Sequence, residues 1–245
     1  MPLNYDPTKT GYVHSTYSGG MVDGPGIRYV IFFAGCTLRC KYCHNPDTWV
    51  ASRGTRMSVE ELINEIVKYK NHYVRSGGGV TISGGEPMEQ PGFLAELLKA
   101  CREHGIHTAL DTSGNVPIST AERIFPLVDL LMFDVKSCTP DTYLHVTGKK
   151  IEPTLNALDV AQRLNVRLWA RFVLVPGLTD KVDEIHEMAA VLRKYDNIEK
   201  IEVLPFHKAG EYKWDSLVIP YELTNTPPPT LEQVEEVQRI LTFKN

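Results

Sequence analysis

The stretch that decides the fold is RYVIFFAGCTLRCKYCHNPDTW, residues 28–49. Its first part, residues 28–35, is a short run of apolar and β-branched residues, which is typical of a buried strand. Three cysteines, Cys36, Cys40 and Cys43, follow within eight residues. In α/β proteins, ligands bind at the carboxyl ends of the strands. The stretch therefore predicts a buried strand that leads into a chemically active loop.

The same order, an apolar run followed by a longer stretch with helical spacing, repeats along the chain. Almost wholly apolar strands favour a parallel sheet with both faces covered. Six units are fewer than the eight of a closed barrel, and no GxGxxG opens the first helix. The sequence predicts an α/β fold, a partial, open (β/α)6 TIM-like barrel with parallel strands. The strands are predicted at residues 28–35, 80–83, 107–112, 130–135, 166–175 and 200–206, and the helices at 58–70, 92–105, 154–165, 181–195 and 230–241.

The overall composition is that of an ordinary globular protein, with 42% hydrophobic residues and a net charge of −4. We expect a single domain over residues 1–245, with a flexible N-terminal segment at 1–20 and a connector and helix at 225–245. No dense basic run indicates a nucleic-acid partner, and no run reaches the ~18 apolar residues of a membrane span. With no signal peptide, we expect a cytoplasmic monomer, in which clustered cysteines serve metal binding or catalysis.

The three clustered cysteines allow four interpretations. Cys40, Cys43 and His44 form a CxxCH haem-attachment motif, but this leaves Cys36 without a role. A zinc site would have to direct the adjacent Cys43 and His44 at one ion. Three unrelated buried thiols are a third possibility. The spacing C-x3-C-x2-C favours the fourth, a [4Fe-4S] cluster with three thiolate ligands and one open iron. Cys101 lies in a predicted helix as a buried thiol, and nothing pairs Cys138 with the cluster.

Further motifs along most of the chain resemble the radical S-adenosylmethionine (SAM) superfamily and, within it, the activating enzymes of glycyl radical enzymes. They are VDGPGIR (22–28), the cysteine loop, SGGGVTISGGEP (76–87), LDTSG (110–114), FDVK (133–136), RFVLVPG (171–177) and LPFH (204–207).

This resemblance implies one [4Fe-4S] cluster held by Cys36, Cys40 and Cys43, with SAM chelating the open iron. One electron from the cluster then cleaves SAM into methionine and a 5′-deoxyadenosyl radical, which removes a hydrogen from a glycine Cα. The cofactors supply this chemistry, and the protein binds and orients them. The cofactor-binding residues that the resemblance implies are Tyr42, Cys43, His44, Gly84, Gly85, Glu86, Val135, Lys136, Ser137, Arg171 and His207.

Two acidic residues, Asp111 and Asp134, end neighbouring predicted strands. Their carboxylates would repel each other unless a cation lies between them. The sulfonium group of SAM or a monovalent cation would serve this purpose, the latter with additional oxygens from Thr112 and Met132. The alternative is an ion pair between Asp134 and Lys136.

The resemblance also implies partners. The protein substrate would be a glycyl radical enzyme activated under anaerobic conditions, with pyruvate formate-lyase as the first candidate, and the reductant a flavodoxin- or ferredoxin-type protein. Asp23 and Arg28 are the candidates for holding the substrate peptide, although Pro25-Gly26 is also a common turn dipeptide. The alternatives are activation of another glycyl radical enzyme, a radical SAM reaction on a small molecule, and an iron–sulfur electron carrier, which would need a fourth cluster ligand.

Overall fold

The computed structural model describes residues 9–242, in which strands and helices alternate. The strands are β1 (Thr10–Gly20), β2 (Arg28–Phe33), β3 (Thr55–Ser58), β4 (Gly79–Gly84), β5 (Thr108–Thr112), β6 (Leu130–Asp134), β7 (Leu168–Leu174) and β8 (Ile198–Pro205). The helices are α1 (Val59–Lys68), α2 (Lys70–Ser76), α3 (Pro91–Glu103), α4 (Ile118–Ile124), α5 (Pro140–Thr147), α6 (Glu152–Arg163), α7 (Val182–Leu192), α8 (Glu211–Ser216) and α9 (Leu231–Leu241). Within these residues, no helix is long and apolar enough to cross a membrane.

The strands form one sheet in the order β3-β1-β2-β4-β5-β6-β7-β8, so the sheet is open, with β3 and β8 at its two edges. The pairs β2–β4, β4–β5 and β7–β8 are parallel. The six predicted strands are present as β2 and β4 to β8, which confirms the α/β class and the open, mainly parallel sheet. The sequence analysis missed β1 and β3, which pair antiparallel with each other, while β1 also pairs antiparallel with β2.

The chain divides into two compact units by its internal contacts. Among the described residues, unit 1 contains residues 9–37, 48–112 and 116–132, and unit 2 contains residues 38–47, 113–115 and 133–242. The single domain stays a prediction. Of the predicted flexible segment, residues 1–8 lie outside the described part of the chain, and residues 10–20 form β1.

Unit 1 is built around β2 and β4, whose side chains are largely buried. Helix α3 packs on them, and Phe93 stacks on Phe33 with 5.1 Å between ring centroids. Helix α1 begins with the predicted capping box, because Ser58 Oγ accepts from the backbone N–H of Glu61 while Glu61 accepts from the Ser58 N–H. Beyond α3, Gly105 adopts φ +61°, the left-handed conformation expected of a glycine that ends a helix.

Unit 2 contains an apolar cluster that reaches from the cysteine loop to the C-terminal part of the chain. The cluster joins Tyr42 to Val146, Val175, Phe206 and Leu223. Further along the chain, the connector at 224–230 leads into α9, which begins with a capping box of Thr230 and Gln233. Helix α9 is tied to β8 because the Gln238 side chain donates to Ile201 O and accepts from Val203 N–H, both at 2.9 Å.

Candidate active site

In unit 1, Gly84 ends β4 and Gly85 follows it, and both glycines are required by the space around them. Gly84 has φ +118°, and a Cβ there would lie 2.3 Å from both the backbone N and O of Phe33. A Cβ on Gly85 would lie 2.3 Å from Gly35 O and 3.1 Å from the Cβ of Cys36. Because real Cβ atoms do not approach backbone so closely, only glycine fits at either position. The pair thus brings the end of β4 directly against the first cysteine of the loop.

The carboxylate of Glu86 is buried in unit 1 and engaged within the protein. Its Oε1 accepts from Thr112 Oγ at 2.7 Å and from the backbone N–H of Met88 at 3.2 Å. The second bond caps the short 3-10 helix at Pro87–Glu89. Next to it, Ser83 Oγ donates to Asp111 at 2.7 Å. The structure therefore brings together three of the predicted residues, Glu86, Thr112 and Asp111, at the ends of β4 and β5.

Arg28 is completely buried in unit 1, whereas the sequence analysis assigned it to substrate binding. Its Nε donates to Thr81 Oγ at 2.9 Å, Nη2 donates to Val80 O, and Nη1 lies 3.4 Å from Pro25 O. Burial lowers the pKa of Arg28 to about 10, opposed by the charges of Asp129 and Asp23. A guanidinium whose donors are used inside the fold is better placed to hold the 23–26 turn than to touch a peptide.

Asp23 lies on this turn and is half-buried. Its backbone carbonyl accepts from Thr81 Oγ at 2.5 Å, so Thr81 links the turn to Arg28. Met132 is also buried here, with its Sδ 3.3 Å from where a Cβ on Gly24 would lie. The turn is therefore packed against β4 and β6 on several sides, and Asp23 is the predicted substrate residue that keeps partial access to solvent.

In unit 2, Asp134 forms ion pairs with two cations. Lys136 Nζ lies 2.6 Å from one carboxylate oxygen and Arg171 Nε 3.2 Å from the other. Burial alone would raise the pKa of Asp134, but these two cations hold it below its usual value. Burial likewise works against the charge on Lys136, yet Asp134 raises the pKa of Lys136 well above normal. The ion pair considered as an alternative to a cation is thus present, and Asp134 is the partner that the half-buried Arg171 requires.

Lys136→Met should lower the stability of the protein, since Asp134 is left with one cationic partner. Losing a hydrogen bond to a charged group costs about 1–3 kcal/mol. The melting temperature, followed by circular dichroism under anaerobic conditions, should fall by about 2–4 °C for each kcal/mol. Lys99→Met is the matched control, because Lys99 forms an exposed pair with Glu96 at 2.8 Å and such pairs contribute little. Equal shifts in the two variants would contradict the expected role of the half-buried pair of Lys136 and Asp134.

The second part of the cysteine loop belongs to unit 2 and is fixed to the end of α5. The backbone N–H groups of Arg39 and Lys41 donate to Thr147 O and Val146 O at 2.8 and 3.0 Å. Cys40 is buried, and burial raises the pKa of its thiol to about 12, with Lys136 opposing the shift. The ring of Tyr42 lies 5.7 Å from Lys136 Nζ, and its buried hydroxyl has no hydrogen-bond partner within residues 9–242.

His44 and His207 pack against each other in unit 2. Their ring centroids are 4.3 Å apart, and His44 Nε2 lies 2.9 Å from the carbonyl oxygen of His207. Burial lowers the pKa of His44, while its bond to His207 O opposes the shift. Two histidines predicted from separate motifs are therefore neighbours.

The last two predicted cofactor residues take part in backbone structure of unit 2. Val135 is buried, and its N–H donates to Arg171 O at 2.8 Å, which extends the pairing of β6 beyond Asp134. Ser137 Oγ accepts from Thr139 N–H at 3.0 Å in the turn before α5.

Helix α8 carries two residues that the sequence analysis missed. Trp214 Nε1–H donates to Cys43 O at 2.9 Å. Lys213 Nζ donates to Asn45 at 2.8 Å and pairs with Asp47 at 3.0 Å. Both contacts span more than 160 positions along the chain. The only available signal was their place a few residues after LPFH.

The residues fit an iron–sulfur cluster in their donor chemistry. Within the described residues, none of the five cysteines forms a disulfide, as a thiolate-bound cluster requires. Because residue 85 is a glycine, no side chain from that position crowds Cys36. The buried hydroxyl of Tyr42 has no hydrogen-bond partner within residues 9–242, so it can still form a hydrogen bond. Within residues 9–242, no three His, Cys, Asp or Glu side chains lie close enough together to hold a single metal ion. A cubane does not need such a group, because each thiolate binds a different iron.

Comparison with known proteins identifies the class. The profile of the radical SAM superfamily matches residues 30–189. Two curated relatives, from Staphylococcus epidermidis and Clostridium pasteurianum, are pyruvate formate-lyase-activating enzymes. Each is 42% identical, and the alignments cover 95% and 94% of this chain and 96% and 97% of the relatives.

Solved structures agree. A domain of the pyruvate formate-lyase-activating enzyme from Bacteroides vulgatus has a TM-score of 0.57 at 26% identity, covering 67% of this chain and 93% of that one. A radical SAM methyltransferase from Sphaerobacter thermophilus has a TM-score of 0.63 over 98% of this chain and 72% of its own; at 15% identity it supports the fold alone.

The chain belongs to the radical SAM superfamily and, within it, to the family of the pyruvate formate-lyase-activating enzymes. Membership implies a [4Fe-4S] cluster and SAM as cofactors, and a glycyl radical enzyme as the protein substrate.

Proposed function

We propose that this chain activates pyruvate formate-lyase under anaerobic conditions by placing a radical on a glycine Cα of that enzyme. The observation that carries the proposal is the 42% identity to pyruvate formate-lyase-activating enzymes over 95% of the chain. The placement of Cys36 against the Gly84–Gly85 pair is consistent with it. When bound, the cluster and SAM supply the one-electron chemistry that produces the 5′-deoxyadenosyl radical.

Cys36, Cys40 and Cys43 are the proposed cluster ligands, which leaves one iron for SAM. The backbone at Gly84 and Gly85 is free of side chains and can accept hydrogen bonds from the ammonium group of SAM. Glu86 follows this backbone directly, and its carboxylate is held in place because it accepts hydrogen bonds from Thr112 and Met88. The remaining cofactor residues in unit 2 are Tyr42, His44, Val135, Lys136, Ser137, Arg171 and His207.

Lys136 and Arg171 are charged groups held in place by Asp134. Because the protein has already oriented these two cations, they need little reorganisation when an anionic group binds to them. We assign them to the carboxylate and ribose side of SAM. Their side chains are mostly shielded from solvent, which strengthens any charge interaction made there.

The turn at Asp23 is the proposed contact for the substrate peptide, with Arg28 as a residue that positions the turn. A carboxylate on a rigid turn can accept hydrogen bonds from the backbone N–H groups of an extended glycine loop. The buried guanidinium of Arg28 keeps the turn in place through Thr81 and Pro25.

A monovalent cation at Asp111, Thr112, Met132 and Asp134 is the finer part of the cofactor proposal. Asp111 already accepts from Ser83, and Asp134 from Lys136 and Arg171. A cation is therefore needed only once SAM shares Lys136 and Arg171 with Asp134. The proposal predicts that SAM binding, rather than folding, depends on the monovalent salt present.

The reductant and the setting are likewise proposals. A [4Fe-4S] cluster must receive its electron from outside the chain, and we propose a flavodoxin- or ferredoxin-type donor. We propose that the chain works as a monomer in the cytoplasm, where clustered cysteines remain reduced and available to metal.

Asp23→Ala should reduce activation of the partner enzyme more than cleavage of SAM. Losing one charge-assisted hydrogen bond costs about 1.5–3 kcal/mol, which corresponds to roughly a tenfold to hundredfold slower glycyl radical formation. Methionine release without partner, driven by dithionite, should persist. Lys136→Ala should slow both reactions, because its proposed contact is with SAM. Equal losses of both reactions in Asp23→Ala would assign Asp23 to folding or cofactor binding.

The function is tested by anaerobic reconstitution followed by electron paramagnetic resonance. With SAM, a reductant and pyruvate formate-lyase, we expect the doublet of a glycyl radical. A doublet that forms only with a different glycyl radical enzyme would reassign the partner. SAM cleavage without any glycyl doublet would indicate a small-molecule substrate. A cluster that reduces and reoxidises without cleaving SAM would identify an electron carrier.

A further inference from the structure

A segment of unit 2 that follows β8 packs against the second part of the cysteine loop. We call residues 207–214 the latch; it includes the first residues of α8. From the latch, we propose that Trp214 is a positioning residue that fixes the peptide between Cys43 and His44, with Lys213 holding the next residues of the loop. The inference rests on the proposed function, since Cys43 and His44 are its assigned cluster and cofactor residues.

The indole of Trp214 makes one directed contact with the loop. Its Nε1–H donates to Cys43 O at 2.9 Å, and indole has no other hydrogen-bonding group. The ring is almost fully buried and packs against Tyr221 in a tilted arrangement, with 5.1 Å between ring centroids. Packing thus fixes the orientation of the indole ring, and the hydrogen bond from the ring fixes the orientation of the Cys43 carbonyl.

The Cys43 carbonyl, which accepts from Trp214, shares its peptide plane with the N–H of the next residue. The C=O of Cys43 and the N–H of His44 belong to one planar unit. Holding this plane sets the direction in which the Cys43 thiol and the His44 ring leave the backbone. A donor on this one carbonyl therefore orients a proposed cluster ligand and a proposed SAM contact together.

Other contacts of the latch act on the same few residues. Lys213 Nζ bridges Asn45 and Asp47 at 2.8 and 3.0 Å. The carbonyl of His207 lies 2.9 Å from His44 Nε2. A Cβ on Gly210 would lie 2.7 Å from the Cα of His44, so the latch backbone lies directly on the loop. Four positions of the latch thus contact the stretch 43–47.

The test is Trp214→Phe in the anaerobically reconstituted protein. Phenylalanine retains an aromatic ring against Tyr221 but cannot donate to Cys43 O. Hydrogen–deuterium exchange of residues 43–47 should accelerate about fivefold, the equivalent of the ~1 kcal/mol of a typical hydrogen bond. When SAM is cleaved without partner, the KM for SAM should rise by a similar factor, while kcat changes less than about twofold. The reason is that a less ordered loop must become ordered when SAM binds, so binding carries the cost and the chemical step does not.

Trp169→Phe is the matched control. Trp169 lies in β7, and its ring is 4.6 Å from Lys200 Nζ, outside the latch and the loop. We expect its exchange in residues 43–47 and its KM for SAM to match the parent protein. Exchange that is unchanged in Trp214→Phe, or faster throughout the chain in both variants, would overturn the proposal.

Lys213→Met provides an independent arm if Trp214→Phe folds poorly. Methionine keeps an unbranched apolar side chain and removes the amine that joins Asn45 to Asp47. Exchange at residues 45–47 should accelerate by several-fold, with a smaller change at residue 43. The absence of glycyl radical with every partner, while exchange in 43–47 responds as expected, would reject the proposed function and leave the positioning role of the latch intact. No response of the loop to either substitution would reject the latch itself.

Discussion

Alanine in place of Cys36, Cys40 or Cys43 should abolish the cluster and, with it, SAM cleavage and glycyl radical formation. The loop supplies three thiolates, each of which binds a different iron of a cubane, so no other thiolate of the loop can replace a missing one. The parent protein should contain about four irons per chain after anaerobic reconstitution, as a single cubane requires. Iron analysis and the electron paramagnetic resonance spectrum of the reduced protein measure the loss directly.

The control is Cys101→Ala. Cys101 is completely buried in α3, where it packs as a small apolar side chain. This variant should keep its iron and its spectrum, although its stability will decrease slightly. A parent protein that is fully active with zinc and without iron would contradict the cluster assignment, as would full iron content in any of the three loop variants.

Gly84→Ala should destabilise the protein strongly, through both backbone strain and a steric clash. At φ +118° an alanine is strained, which costs about 1–3 kcal/mol. In addition, its Cβ would lie 2.3 Å from Phe33 N and O, so β2 must move away from β4. We expect a total loss of at least about 3 kcal/mol, seen as a melting temperature lowered by about 6 °C or more.

Gly105→Ala separates the two contributions. Gly105 also has a positive φ of +61°, but a Cβ there meets nothing within 4 Å. Its cost is limited to the backbone conformation, about 1–2 kcal/mol. If both variants lost the same stability, the close approach of β2 to Gly84 would be unimportant. SAM binding should be weakened in Gly84→Ala and not in Gly105→Ala, because Gly84 belongs to the backbone proposed to bind SAM and Gly105 does not.

The sequence predicted the parallel strands because their apolar character is local. A run such as residues 28–33 is buried almost throughout, and burial on both faces is visible in composition. Strands β1 and β3 are different, because β1 keeps four consecutive exposed residues and β3 has only four residues. Their pairing depends on partners rather than on their own pattern, so no local signal was available.

The candidate site was predictable to the same extent. Asp134 and Lys136 are two positions apart, and their ion pair was foreseen as an alternative from that spacing. Arg28 was placed at the substrate because it belongs to a motif, yet its direction depends on Thr81 and His107, more than 50 positions away. Trp214 and Lys213 could not be found at all, since their partners are distant in the chain and tryptophan and lysine are common outside functional sites.

The short strand β3 has a consequence for the behaviour of the protein in concentrated solution. Strand β1 has eleven residues, and β3 pairs with only Thr10–Val13. An exposed, regular strand edge can recruit another chain and begin fibril growth or domain swapping. In β1, however, the register shifts between Val13 and Ser15 and again between Ser18 and Gly20. Such bulges twist an edge and break the even row of donors and acceptors that another strand would need, so this part of the sheet edge should resist edge-to-edge association.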